Sequence, residues 1–228
     1  MNPRSIVVHK SAGRPEQLIL LFHGVGATPE GLVPLGQRLA SAFPNGTVVS
    51  VAAPHASDIS TGYQWFAVPD ITEVNRVARV AAAMPAFLDE VGAWQKALEV
   101  TATVTALVGF SQGAIMALES SVTQTSPAGR VVAIAGRFAK LPDAAPSHTT
   151  IHLVHGKEDA VIPYRHAIDA AHRLRDLGGD VTADILPFPG HEINAEMAEL
   201  VVERLLGHVP TRMWEEALLA EKTVPRSR

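Results

Sequence analysis

Short runs of apolar, β-branched residues alternate along the chain with longer segments in which apolar residues recur every three or four positions. The short runs predict strands and the longer segments predict helices. The predicted strands are Ile6–His9, Leu18–Phe22, Thr47–Ala52, Ala102–Val108, Arg130–Ala135, Thr150–Val154 and Val181–Leu186. The predicted helices are Pro29–Ala42, Ile71–Leu98, Ser111–Gln124, Tyr164–Leu177 and Ile193–Leu206.

This alternation predicts an α/β fold with a mostly parallel sheet of about seven strands and helices on both faces. Leu18–Phe22 is apolar at every position, which is typical of a strand that is buried on both faces. Active sites of such sheets lie just beyond the carboxyl ends of the strands, so the residues that follow each strand carry the candidate chemistry.

Two segments depart from the regular pattern. Pro85 lies inside the predicted helix 71–98, where its ring removes a backbone hydrogen bond, and it predicts a kink or a break near Met84. Residues 54–69 are rich in Pro, Ser and Gly, which predicts a loop, yet they include Tyr63, Trp65 and Phe66. Three aromatic residues so close together in a loop indicate a packing or a binding role.

The candidate nucleophile is Ser111, in the segment Gly109-Phe110-Ser111-Gln112-Gly113. This G-x-S-x-G motif stands between a predicted strand and a predicted helix, which is the context of the sharp nucleophile turn in the α/β-hydrolase fold. The motif alone can occur by chance, and the alternative is a glycine-rich turn whose serine only caps a helix. The flanking strand and helix favour the nucleophile.

A serine nucleophile requires a base, and the base requires an acid that orients it. In this fold the order along the chain is serine, acid, histidine. His191 directly follows the last predicted strand, in a loop, and is the predicted base. The other late histidines lie inside or at the end of predicted helical segments: His166, His172 and His208.

The predicted acid is Asp159, in the loop after the strand Thr150–Val154. Glu158 is adjacent and is the alternative. Asp159 is favoured because it precedes an apolar turn and Pro163, a residue typical of a helix start, so that its side chain is expected to point inward.

The oxyanion of an acyl-transfer intermediate requires backbone N–H donors. One donor is expected from Gln112, which follows the nucleophile, and the other from the loop after an early strand. That loop is the turn His23-Gly24-Val25-Gly26, in which Val25 is the expected donor. His23 is interpreted as a structural hydrogen-bonding residue rather than a second base.

The composition of the chain excludes several kinds of partner and site. The net charge is −4, and no basic stripe is present, so no nucleic-acid partner is expected. The chain has no cysteine, which excludes disulfides, thiolate metal sites and a cysteine nucleophile. There is no zincin H-E-x-x-H motif, and neither a metal nor another cofactor is expected. With no secretory signal and no apolar stretch long enough for a membrane span, a cytoplasmic protein without stable membrane insertion is expected.

Taken together, these motifs resemble the phospholipase/carboxylesterase family, whose best-known members are acyl-protein thioesterases. The similar segments are Leu21–Gly26, Gln64–Phe66, Gly109–Gly113, His155–Asp159 and Pro189–His191. The resemblance implies hydrolysis of carboxylic esters with Ser111, Asp159 and His191 as a catalytic triad. It also implies that the loop with Trp65 and Phe66 borders the substrate.

The connection between the strands 130–135 and 150–154 is too short for a cap domain, which predicts an open site. Its expected walls are Val25, Trp65, Phe66 and the residues near Phe138 and Ile162. Such a site favours short acyl chains in a small-molecule ester. The alternatives are a thioesterase or a lysophospholipase with the same triad, and a catalytically inactive binding protein.

The whole chain, 1–228, is predicted to form one domain with an amphipathic C-terminal tail at 209–228. Trp214 and Leu218 share one face of a predicted tail helix. The tail is expected to pack back on the domain, and the alternative is a contact between the subunits of a homodimer.

Overall fold

A computed structural model describes residues 1–210, 213, 214 and 218 of the chain. Within them the strands are β1 (Ile6–His9), β2 (Leu18–Phe22), β3 (Thr47–Val51), β4 (His55–Ala56), β5 (Tyr63–Gln64), β6 (Thr105–Phe110), β7 (Arg130–Ile134), β8 (Thr150–Gly156) and β9 (Val181–Leu186). The α-helices are α1 (Val33–Ala42), α2 (Glu73–Leu98), α3 (Gln112–Ser121), α4 (Arg165–Asp176) and α5 (Ala195–Gly207). Short 3₁₀ helices lie at Pro29–Leu32 and Ala102–Val104.

Seven of these strands form one sheet in the order β1-β3-β2-β6-β7-β8-β9. β1 pairs antiparallel with β3 at one edge, and all other pairs in the sheet are parallel. The predicted mostly parallel sheet is confirmed. The parallel arrangement brings the carboxyl ends of β2, β6 and β8 to the same edge, so that the loops after them can meet.

Two apolar cores cover the sheet, one on each face. Helices α1 and α5 pack on one face, and α2, α3 and α4 pack on the other. In β2, Leu18, Leu20 and Phe22 belong to one core while Ile19 and Leu21 belong to the other. This alternation explains the uninterrupted apolar run, because every side chain of a central parallel strand is buried.

Three local features differ from the expectation. Ala102–Val104 forms a 3₁₀ turn rather than the start of β6. Helix α2 continues through Pro85, so of the kink or break expected near Met84 the break does not occur. A single missing hydrogen bond is tolerated there because the helix is 26 residues long and buries Met84 and Phe87 on either side of the proline. Inside the aromatic loop, β4 and β5 pair as a small hairpin that the sequence pattern did not indicate.

Residues 135–149, between β7 and β8, contain no helix or strand, as expected for a chain without a cap domain. None of the helices in the described part of the chain is long and apolar enough to cross a membrane. The amphipathic tail prediction falls mainly on 211–228, outside the described residues apart from Met213, Trp214 and Leu218. The side chains of these three residues are exposed.

Candidate active site

The turn between β6 and α3 holds Ser111 in an unusual backbone conformation. Its φ is +53° and its ψ is −114°, a region that residues with a Cβ seldom adopt. The conformation is fixed on both sides, because the Ser111 N–H donates to Ile134 O and its carbonyl accepts from Ile115 N, both at 3.0 Å. Strain of this kind costs on the order of 1–3 kcal/mol and is concentrated at functional sites.

Close approach between neighbouring segments explains two glycines around this turn. A Cβ at Gly113 would collide with the carbonyl oxygen of Phe22, at the end of β2. A Cβ at Gly24 would lie 3.2 Å from the Cβ of Ser111. The glycines therefore allow β2 and the loop after it to lie directly against the serine turn.

Ser111, His191 and Asp159 form one hydrogen-bonded chain across the carboxyl edge of the sheet. His191 Nε2 lies 2.9 Å from Ser111 Oγ, and His191 Nδ1 lies 2.8 Å from Asp159 Oδ2. A carboxylate can only accept, so Nδ1 carries the imidazole proton and Nε2 is left to accept from the serine hydroxyl. The three residues come from separate loops, after β6, β8 and β9.

Asp159 is held as a carboxylate by several donors. Its Oδ1 accepts from the N–H groups of Val161 and Ile162, both at 2.8 Å. Burial opposes ionisation, but the hydrogen bonds from His191, Ile162 and Val161 outweigh it and lower the pKa of Asp159 below its usual value. The alternative acid, Glu158, is exposed, and the hydrogen bond from His191 Nδ1 goes to Asp159 instead.

The loop after β2 lies beside Ser111 and is anchored to the β4–β5 hairpin. Gly26 N donates to Tyr63 O and Tyr63 N donates to Ala27 O, both at 2.9 Å. Val25 and Gln112 line the same cavity as Ser111. Gln112 is the first residue of α3, where backbone N–H groups have no partner inside the helix. Both residues therefore border the cavity together with the serine.

His23 is buried, as the structural interpretation requires. Its Nδ1 lies 2.8 Å from Gly24 O, and its Nε2 accepts from Ala53 N at 3.1 Å. Burial lowers the pKa of His23, so the ring is neutral with its proton on Nδ1. It connects the loop after β2 to the end of β3 and has no ring nitrogen left for catalysis.

A cavity of about 210 Å³ opens beside Ser111. Most of its wall is apolar, and Arg76, Arg137 and His166 contribute the polar part of the wall besides Ser111 and Gln112. The apolar lining residues are Val25, Phe66, Val68, Ile71, Ile115, Val161, Ile162 and Pro163. Val25, Phe66 and Ile162 thus lie where the sequence analysis expected the walls of the site.

Trp65 does not lie at the cavity wall, contrary to the expectation. It is 2% exposed and packs against Phe22 and Phe87, with ring centroids 6.1 and 4.9 Å away. Phe138, near which a further wall was expected, is also buried in this core, whereas its neighbour Arg137 lines the cavity. Phe66, the residue after Trp65, belongs to the same core and also lines the cavity.

Comparison with known proteins identifies the chain. Residues 3–208 match the family described as phospholipase/carboxylesterase. The chain belongs to this family. It is 46% identical over 216 residues to esterase YpfH of Escherichia coli strain K12, covering 94% of this chain and 93% of that protein. It is 31% identical over 114 residues to acyl-protein thioesterase 1 of Gibberella zeae, covering 46% of this chain and 48% of that protein.

Solved structures of esterases share the fold of this phospholipase/carboxylesterase family member. Esterase PE8 superposes with a TM-score of 0.81 at 28% identity, covering 88% of this chain and 96% of that one. The Bacillus cereus carboxylesterase superposes with a TM-score of 0.74 at 16% identity, covering 87% and 91% of the two chains. The resemblance inferred from the motifs is confirmed, and the protein is a carboxylic ester hydrolase with the α/β-hydrolase fold.

Two contacts of this family member were not foreseen from its sequence. The first is His155, which is buried and whose Nε2 lies 3.1 Å from Asp159 Oδ2 and 2.7 Å from Ile162 O. Both partners are acceptors, so Nε2 carries the proton. Burial lowers the pKa of His155 despite these neighbours, and the ring is a neutral donor. The spacing of four residues between His155 and Asp159 was the available signal.

The second contact is made by the side chain of Gln112. Its Oε1 accepts from Trp65 N and its Nε2 donates to Phe66 O, both at 2.8 Å. The residue after Ser111 therefore fixes the backbone of the loop that supplies Phe66 to the cavity. Sequence reasoning assigned Gln112 only a backbone role, because nothing in the sequence shows that this loop folds over the serine turn.

Replacing His155 by leucine is expected to lower kcat by about tenfold and the free energy of unfolding by about 1–3 kcal/mol. Leucine removes the buried Nε2–H that faces both Ile162 O and Asp159 Oδ2. The carboxylate that orients His191 is then less firmly held. Steady-state kinetics and urea unfolding measure the two effects. His172→Leu, an exposed histidine on α4, is the control. Wild-type kcat in His155→Leu would contradict this positioning role.

Gln112→Ala is expected to lower the free energy of unfolding by about 1–3 kcal/mol, because Trp65 N and Phe66 O lose their buried partners. The backbone N–H at position 112 remains, so KM for esters should rise more than kcat falls. Thermal unfolding and steady-state kinetics give both values, with Gln37→Ala, at an exposed position of α1, as the matched control. Equal destabilisation of the two variants would show that the bridge contributes nothing.

Proposed function

We propose that this protein hydrolyses small-molecule carboxylic esters, with preference for short acyl chains, through a Ser-His-Asp triad. Ser111 is the nucleophile, His191 the general base and acid, and Asp159 the residue that orients His191. The observation that carries the proposal is the hydrogen-bonded chain from Ser111 Oγ through His191 to Asp159, at the edge of a largely apolar cavity.

In the first half of the reaction, Ser111 Oγ attacks the ester carbonyl carbon while His191 Nε2 accepts the hydroxyl proton. The tetrahedral intermediate collapses, the bond from the carbonyl carbon to the alkoxy oxygen breaks, and His191 gives its proton to the departing alcohol. In the second half, His191 takes a proton from water, and the resulting hydroxide attacks the acyl-enzyme. The second intermediate then collapses, the bond from the acyl carbon to Ser111 Oγ breaks, and His191 gives its proton to Ser111 as the acid leaves. Asp159 stays ionised throughout and stabilises the imidazolium.

The negative oxygen of each intermediate is stabilised by the N–H groups of Val25 and Gln112. The support for Gln112 is its place at the N-terminus of α3, where the helix dipole also favours negative charge. The support for Val25 is its loop, which lies against Ser111 and is anchored by the hairpin. In hydrolases with fixed donors of this kind, loss of one donor costs about 10²–10³-fold in kcat.

The chain-length preference is supported by the volume of about 210 Å³ and by the connection 135–149, which carries no cap. A long acyl chain would extend beyond the enclosed part of the cavity and gain little further burial. The test is a series of p-nitrophenyl esters from acetate through butyrate and octanoate to palmitate. We expect the highest kcat/KM at the short end. A steady rise to palmitate would refute the preference, and inactivity on every ester would refute the function.

We further propose that the chain forms a single domain and that it acts in a reducing compartment, the cytoplasm. One sheet joins both apolar cores, which supports a single folding unit. The absence of cysteine supports a compartment in which disulfides have no role. Limited proteolysis that released a stable fragment from within 1–208 would contradict the single domain.

A further inference from the structure

One wall of the cavity beside Ser111 is positively charged. Arg76, from the second turn of α2, and Arg137, from the loop after β7, both line this cavity together with His166. Among the described residues, no acidic side chain lines it. An ester that held only hydrocarbon in this cavity would place that hydrocarbon against two guanidinium groups.

The two arginines already share one carboxylate outside the cavity. Arg137 Nη1 and Nη2 donate to Glu73 Oε1 and Oε2 at 3.0 and 2.6 Å, and Arg76 Nη2 donates to Glu73 Oε1 at 3.2 Å. The side chain of Glu73 is 65% exposed, whereas those of Arg76 and Arg137 are 17% and 13% exposed. Two positive charges thus face one negative charge, which leaves the wall with an excess of one positive charge.

One donor of Arg76, a side chain that lines the cavity, has no partner in the described part of the chain. Arg76 Nε is buried and has no hydrogen-bond partner among the described residues. His166 does not satisfy this donor, since its Nε2 lies 3.2 Å from Arg137 Nη1 and accepts from it. Burial and the neighbouring Arg137 lower the pKa of His166, so the ring is neutral near pH 7. A buried donor without a partner costs free energy unless a ligand satisfies it.

We propose that Arg76 and Arg137 bind a carboxylate of the substrate, so that the preferred substrates are short esters that carry a free carboxylate. This inference rests on the proposed function, because it concerns the part of the ester that lies beside Ser111. A carboxylate fits the observations because the planar guanidinium group pairs with carboxylate oxygens. The hydrogen bonds to Glu73 show that these two arginines together can bind a carboxylate. The small volume leaves room for a short dicarboxylic unit.

The carboxylate can belong to the acid half or to the alcohol half of the ester, and two substrate pairs distinguish these sources. The first pair is p-nitrophenyl monoglutarate and its methyl ester, and the second is 4-carboxyphenyl butyrate and its methyl ester. Release of nitrophenol or hydroxybenzoate is measured, and the rate without enzyme is subtracted. In one of the two pairs, kcat/KM should be about tenfold or more higher for the anionic member, as expected for a charged hydrogen bond.

Three variants test the role of Arg76 and Arg137. The measured quantity is the ratio of kcat/KM for the anionic member of a pair to kcat/KM for the neutral member. A general loss of folded enzyme cancels in this ratio. Arg76→Gln should lower the ratio about tenfold. Glu73→Gln should raise it, because it removes the carboxylate that competes for the arginines. Arg38→Gln, on α1 and paired with the exposed Glu199, changes the net charge equally and should leave the ratio unchanged.

Salt provides a test that needs no variant, since sodium chloride should lower kcat/KM for the anionic member and leave the neutral member unaffected. The inference would be overturned if kcat/KM were no higher for the anionic member than for the neutral member in either pair. It would also be overturned if Arg76→Gln left the ratio unchanged. Both outcomes would leave the proposed function intact. If none of the four esters were hydrolysed, the proposed function itself would be overturned.

Discussion

Ser111→Ala is expected to lower kcat for p-nitrophenyl butyrate by about 10⁴-fold or more, as loss of the nucleophile does in other serine hydrolases. Only the hydroxyl group is removed, so Val25, Gln112 and the cavity remain to bind the ester. The loss should therefore appear in kcat, while KM stays within a small factor of the wild-type value. Steady-state kinetics with a burst-phase measurement of acyl-enzyme formation test both expectations.

The control for this variant is Ser41→Ala, an exposed serine on α1 whose hydroxyl bonds only within its own helix, to Gln37 O. It should retain wild-type kcat. A fluorophosphonate probe should label the wild type and Ser41→Ala but not Ser111→Ala. Residual activity of Ser111→Ala near the wild-type rate, in a preparation free of contaminating esterase, would show that another group is the nucleophile.

Asp159→Asn is expected to lower kcat about 10⁴-fold at neutral pH, the effect typical of this change in a serine triad. The structure dictates how an asparagine would lie. Its side-chain oxygen would take the place of Oδ1, where Val161 N and Ile162 N both donate. The amide nitrogen would then face His191 Nδ1 and the Nε2–H of His155.

An amide N–H facing His191 forces Nδ1 to accept, so the proton moves to Nε2. That nitrogen can then no longer take the proton of Ser111. The same amide would also oppose the donor on His155, so a loss of stability is expected besides the loss of activity. The kinetic signature is a fall in kcat with binding retained, and urea unfolding measures the stability.

Glu158→Gln is the matched control, because it removes a neighbouring carboxylate from the same loop without touching His191. It should keep kcat within about twofold of the wild type, as expected for an exposed charge. A large loss in Glu158→Gln with a small one in Asp159→Asn would reverse the assignment of the acid.

Much of the site could be predicted because Ser111, Asp159 and His191 each lie in a loop that follows a strand. The parallel sheet brings the ends of β6 and β8 to one edge, so Ser111 and Asp159 were expected to meet there, and His191 completes the arrangement from the end of β9. Their catalytic roles stay proposals. The fold was predictable for a similar reason, since apolar runs such as Leu18–Phe22 indicate buried parallel strands.

The remainder depends on how loops fold over one another, which local patterns do not contain. Trp65 was expected at the cavity wall, yet it packs in the core while Phe66 faces the cavity. The pairing of Arg76 with Arg137 joins a helix to a distant loop through Glu73, and no sequence spacing relates them. The unbroken helix through Pro85 likewise reflects tertiary packing that outweighs a local preference.

The bridge from Gln112 has a consequence for how substrate range can change in this enzyme and its descendants. The glutamine holds the backbone of Trp65 and Phe66, and it makes no demand on the side chain at position 66. A single substitution of Phe66 could therefore reshape the cavity while the loop keeps its course. Phe66, which lines the cavity, is thus held through its main chain, so a change of its side chain can alter the cavity without rebuilding the site.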